Sequence, residues 1–219
     1  MLKIKYLLVA VILLSCSMFA QNLWTSEVMI NFTIQSNTKA ASFVDANGIH
    51  IVYFRNGGIK YALVNSQGGI IKFDKVIEAE GSGADFANVA VAGGNVYAVY
   101  YKNNFLQIAK STNLGDTWNS TFSNWPMTNT GCNKIVAYSD GSNLHMTWSE
   151  LRVGSSYIND AHYIKFNPAT IPLPTWQEYK RVSDIATPYT EGGQNPDLVF
   201  NSGKVYVNYI GNSYAFPVN

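Results

Sequence analysis

Four short stretches bring a potentially reactive or ligand-binding position to the same point of a recurring pattern. They are "YFR", "YYK", "WSE" and "YIG", ending at Arg55, Lys102, Glu150 and Gly211. Three of the four thus offer a long charged side chain in equivalent places, and Arg152 lies just beyond Glu150. A guanidinium group holds an anion through paired hydrogen bonds, and a carboxylate can act as acid, base or nucleophile. Lys39, Glu80, Asp85, Glu191 and Asn195 lie between the patterned runs and join the candidate ligand-binding set. The competing reading is that a charge at the end of a strand is simply solvated. Tyr53, Tyr100, Trp148 and Tyr209 are also equivalent. Flat aromatic faces stack on sugar rings, but the same residues also suit packing between sheets.

Other chemistries find little in the residues. Cys16 and Cys132 are the two cysteines. If Cys16 is removed or lipidated with its leader, neither an internal disulfide framework nor a Cys-based metal site is expected. A thiol nucleophile at Cys132 would need a histidine beside it. Only His50, His145 and His162 exist, two of them inside predicted strands and the third at the start of one. Cys132 therefore reads as a small buried hydrophobe. No metal-ligand cluster, phosphate loop or dinucleotide fingerprint is found, so no metal or cofactor is expected. The formal net charge is +1 with no basic run. That speaks against nucleic acid or an anionic membrane surface as partner.

The elements that must position these residues are strands. Hydrophobic residues make up 47% and aromatics 14% of the 219 residues, enough for a packed core and biased toward β structure. "NGIHIVYF", "GNVYAVYY", "SNLHMTW" and "GKVYVNY" share one pattern, in which Ile49, Val96, Leu144 and Val205 are equivalent. The intervals are 47, 48 and 61 residues. Each copy follows another alternating run across a turn of Asn, Gly, Ser or Asp, which is a hairpin signal. Third strands ("IKYALV", "LQIAKS", "HYIKFN") and fourth strands ("IIKFDKVIEA", "TWNSTFS", "TWQEYKRVS") follow. Four strands in a repeat of this length predict an all-β chain of four-stranded antiparallel blades, a β-propeller. The longer third repeat is explained by loop insertions at "LRVGSSYINDA" and "PATIPLP".

The boundaries follow. Residues 1–20 read as a signal peptide with an apolar stretch too short to span a bilayer, and 21–219 as the propeller. Cleavage after Ala20 competes with a lipobox ending at Cys16. Either route makes the mature chain extracytoplasmic, as a secreted or periplasmic protein or as a surface lipoprotein. Blades are expected at about 40–79, 87–126, 133–184 and 195–219, the last incomplete, with 23–31 as a closing outer strand. Two alternatives stand: a closed four-bladed ring, or the first part of a longer, six-bladed propeller. The chain is expected to be monomeric, with no transmembrane segment after cleavage.

"STNLGDTW" resembles the Asp-box (BNR) motif of the sialidase superfamily, S-x-D-x-G-x-T-W. Ser111, Gly115, Thr117 and Trp118 match, and Asn113 stands where Asp is usual. A degenerate echo, "VNSQGG", lies 47 residues earlier. The stretch falls between third and fourth strands, where that family carries it, and the resemblance covers residues 23–219. In the family these boxes are structural and lie opposite the active site. The residue types agree: a short polar side chain can bond its own turn, and Gly115 permits a positive φ.

The resemblance further implies what a sialidase would need: three arginines clamping a carboxylate, a Tyr–Glu nucleophile pair and an acidic general acid/base. The arginines here are Arg55, Arg152 and Arg181, and Glu150 is the matching acid candidate, but the family's Arg-Ile-Pro motif is absent. The expectation is therefore a non-catalytic module that binds glycans or peptides, or a scaffold. The alternative is an exo-sialidase-type retaining glycoside hydrolase, or another carbohydrate-active enzyme, with its site in the propeller funnel around Arg55, Arg152 and Glu150.

Overall fold

The computed structural model describes residues 39–127, 132–151, 159–169, 179–183, 191–201 and 203–213. The leader expected at 1–20, the strand expected at 23–31 and Arg152 lie outside them. The described chain is all-β, as expected, and its four-stranded antiparallel sheets are blades of a β-propeller.

The first sheet comprises β1 (Ala40–Asp45), β2 (Gly48–Arg55), β3 (Gly58–Val64) and β4 (Ile70–Glu78) in sequence order. The second comprises β5 (Asp85–Ala92), β6 (Asn95–Lys102), β7 (Phe105–Ser111) and β8 (Asn119–Pro126). The third comprises β9 (Cys132–Ser139), β10 (Leu144–Leu151), β11 (Asn159–Phe166) and β12 (Tyr179–Arg181). β13 (Glu191–Asn201) and β14 (Lys204–Ser213) pair alone among the described residues. Tight turns set the registers. Asn56 and Gly57 both take positive φ, 49° and 73°, as a two-residue hairpin with matching twist requires.

The first strand of each sheet lies beside the first strand of the next. Lys39, just before β1, pairs with Asp85 at the start of β5. Asn88 near the start of β5 donates to Ile135 O of β9, and Lys134 of β9 lies 3.8 Å from Asp197 of β13. At the other end, Gly93 N bonds Gly141 O, and Tyr138 stacks on Phe200 at 5.6 Å. Starts meet starts and ends meet ends, so the inner strands run the same way. Their starting ends form one rim, and the turns leaving their far ends form the opposite side.

The second sheet is buried on both faces, which explains the nearly unbroken apolar run "VYAVYY". Val96, Ala98 and Tyr100 pack toward the first sheet with Val52, Ile59, Tyr61 and Leu63. Tyr97 and Val99 pack toward the third with Leu144, Met146, Trp148 and Ile164. Successive residues of one strand thus serve two cores, as the two-residue period of a strand requires. Each buried large aliphatic or aromatic side chain contributes roughly 1.5–3 kcal/mol.

Candidate functional site

The second strands end at the rim, and their last residues build ion pairs within the chain. Arg55 reaches Asp74 on β4 at 3.1 and 3.2 Å and approaches Glu80 at 3.7 Å. Tyr53, two residues earlier, donates to the same Asp74 at 2.8 Å. Burial pushes the Asp74 carboxyl up, but the Tyr53 hydrogen bond and the Arg55 charge outweigh it and hold it below the usual range. The second copy of this device crosses between sheets. Tyr100 and Lys102 of β6 both donate to Glu78 of β4, each at 2.7 Å. Burial and the Glu78 hydrogen bond push the Tyr100 phenol up, so it stays a donor.

The third copy differs because Trp148 and Glu150 replace Tyr and cation. Glu150 is 2% exposed, and its carboxylate lies 3.2 Å from Nε2 of His162, which stacks on Trp148 at 5.4 Å. Burial, helped by the Arg181 charge and opposed by Asp160, lowers His162 to about 4. Asp160 faces Glu150 across the strand pair and holds Arg181 and Ser183, each at 3.2 Å. Tyr53, Tyr100 and Trp148 are all buried. Tyr100 and Trp148 pack between sheets, Tyr53 bonds Asp74 within its own sheet, and Tyr209 is half-buried beside Gly193.

The rim itself is shaped by bulges. Between Asp85 and Asn88, between Ser149 and Glu150 opposite β9, and between Gln194 and Asp197, the register slips by one residue. Three consecutive inner strands therefore carry an extra residue, β5 and β9 near their starts and β13 midway along its longer run. Such bulges re-aim side chains and recur beside functional sites. Phe86 takes φ +53° and Asn195 φ +47°. For a bulky aromatic that conformation is an outlier held by its surroundings. Lys39 does part of the holding: its Nζ lies 3.0 Å from both Asp85 oxygens and 3.5 Å from the Phe86 ring centroid. Asn133, in the middle bulge, is exposed and donates to buried Asn159 at 3.0 Å.

Cys132 sits beneath this rim, 3% exposed. Burial, with the charges of Glu150 and Asp85 adding to it, pushes its thiol up to about 12. It is a poor nucleophile, since the thiolate is the reactive form.

Glu150 lies opposite Cys132 across the strands and Asp85 starts the neighbouring inner strand, while Arg55 and Lys102 are drawn outward to β4. Glu191 begins β13 at the same rim. Composition pointed to none of Asp74, Glu78, Asn133, Asn159, Asp160 or His162 as a partner. The polar interruptions of "IIKFDKVIEA" were the available signal for the first two.

The Asp-box-like turn lies on the opposite side and is an inter-sheet latch. Asn113 Oδ1 accepts from Ser111 Oγ and Thr117 N, and Gly115 N donates to Ser111 Oγ. Lys72 of the first sheet donates to Asn113 O and pairs with Asp116, joined there by Lys75. Hydrogen bonding from Lys72 holds the Asp116 carboxyl below its ordinary value. Trp118 meets Tyr61 edge-on at 5.3 Å and donates to Gly115 O.

Two buried relays stand on that side. Tyr61 OH lies 2.8 Å from Nδ1 of His50, whose Nε2 lies 3.0 Å from Asp45. Tyr163, His145 and Asp140 repeat this at 2.8 and 3.1 Å. A neutral ring protonated on Nε2 satisfies every group, with Tyr donating and Asp accepting.

No protein-family model matches the chain, and no curated protein sequence is significantly similar to it. Among solved structures, the fold is similar to the crystal structure of a thermostable family-43 glycoside hydrolase. The TM-score is 0.54 at 11% identity, over 83% of this chain and 67% of that one. A likeness at that identity is one of fold, and the fold it supports is the β-propeller.

Proposed function

We propose that the chain is an extracytoplasmic carbohydrate-binding β-propeller that takes its ligand at the rim where the inner strands begin. The observation that carries the reading is the set of three aligned bulges, which place Asp85, Phe86, Asn133 and Asn195 along one rim. Carboxylate, carboxamide and aromatic ring are the groups that hold sugar hydroxyls and ring faces. The similar fold of a glycoside hydrolase supports the same class of ligand. The leader-like first twenty residues are the support for export. The test is a glycan array probed with the full chain. Saturable binding of at least one saccharide is expected, and silence across neutral and acidic glycans contradicts the reading.

One observation favours glycoside hydrolysis as a second reading. Glu150 pairs across the strands with Cys132 at the start of β9, and Asp85 starts the neighbouring inner strand β5, so two carboxylates lie near one rim. Hydrolysis needs such a pair. Against it, Asp85 is already paired with Lys39, and Glu150 is buried beside His162. Turnover of an aryl glycoside, lost in Asp85→Asn and in Glu150→Gln, would establish the enzyme. Binding without turnover would leave the binding module.

A further inference from the structure

Resting on the carbohydrate reading, we infer that the rim selects a neutral, hydroxyl-rich saccharide over an acidic one. An acidic sugar needs a cation to receive its carboxylate, usually a bidentate arginine. Among the described residues, the cations set at this rim are already paired, including Lys60 with Glu80 at 3.5 Å and Lys134, beside Asn133, with Asp197 at 3.8 Å. Lys39 holds both oxygens of Asp85. Arg55 holds Asp74 and approaches Glu80. Lys102 holds Glu78, and Arg181 holds Asp160. An incoming carboxylate would have to displace one of these and would meet like charge from the carboxylate it displaced.

Neutral groups are placed differently. Asn133 and Asn195 are exposed at two neighbouring bulges, on β9 and β13. The bond from Asn133 Nδ2 to Asn159 Oδ1 orients the pair and uses one donor and one acceptor. A carboxamide both donates and accepts, as each sugar hydroxyl does, so amides can engage vicinal hydroxyls without burying a charge. Asn195 is held at φ +47°, a conformation costly for most residues, in the bulge that presents it.

The experiment is calorimetric titration of the full chain with neutral oligosaccharides (gluco-, galacto-, xylo- and arabino-series) and with sialylated and uronic-acid-bearing ones. At least one neutral series is expected to bind, with affinity falling about tenfold in Asn133→Ala and in Asn195→Gly. Glycine adopts the bulge conformation freely, so the second variant removes the amide and spares the backbone. Preferential binding of an acidic oligosaccharide overturns this inference and leaves the carbohydrate reading standing. Neutral binding indifferent to both variants also overturns it, because the amides would then not be the selecting groups. Binding of neither class overturns both.

Discussion

Tyr61 of the first sheet lies so close to Gly115 of the second that a β-carbon at 115 would fall 2.0 Å from its ring. Gly115 also sits at φ +87°, which side chains rarely adopt. One position thus combines two reasons for glycine, and it lies in the turn that latches the sheets together. Gly115→Ala is expected to destabilise the fold by about 3 kcal/mol, summing left-handed strain and overpacking. Urea unfolding checks it. In a double-mutant cycle, the cost of Gly115→Ala measured in a Tyr61→Ala background should be smaller by the overpacking share, leaving the strain.

The Glu78 clasp between sheets is the next test. Its carboxylate is largely buried and receives both Tyr100 and Lys102. Glu78→Leu leaves the half-buried Lys102 ammonium without its acceptor and the Tyr100 hydroxyl with Ser120 O at 3.2 Å alone. A loss of roughly 3 kcal/mol is expected in the same assay. Asp197→Asn, in the exposed pairing with Lys134, is expected to leave the midpoint unchanged.

His162 predicts a pH window. Its folded value of about 4 lies below the unfolded value of about 6.5, so the unfolded chain binds more protons between them. Stability should therefore fall as pH drops from 6.5 to 4, by about 3 kcal/mol in all. His162→Phe, which preserves stacking on Trp148, should flatten that slope. The depressed carboxylates Asp45, Asp74 and Asp140 act lower. Their contribution is present above about pH 4 and lost as pH falls through their folded values. Urea midpoints at pH 7, 5 and 3 separate the two windows.

Cys132 offers a chemical readout of burial. Its raised pKa and 3% exposure predict no alkylation by iodoacetamide at pH 8 in the folded chain. Complete alkylation is expected in denaturing urea. Mass spectrometry distinguishes the two.

Much of the architecture was legible because its determinants are local. Alternation marked the strands, and Asn, Gly, Ser and Asp marked the turns. The bulges were not legible: an extra residue at Phe86 or Asn195 carries no compositional mark, and an aromatic is the last type expected at positive φ. Arg55 and Lys102 were read at strand ends, but a strand end does not reveal that Asp74 and Glu78 wait on β4. Such pairings depend on how sheets pack. The histidine relays could have been found by comparing repeats, since Asp45 precedes His50 by the same five residues as Asp140 precedes His145.

The central claim is that carbohydrate binds at the bulged rim. Hydrogen exchange of the full chain, with and without a saturating array-selected oligosaccharide, tests it most directly. Added protection at 85–88, 132–134 and 193–197, with none at 111–118, is the expected result. Protection confined to the latch turn at 111–118, or none anywhere, would contradict it.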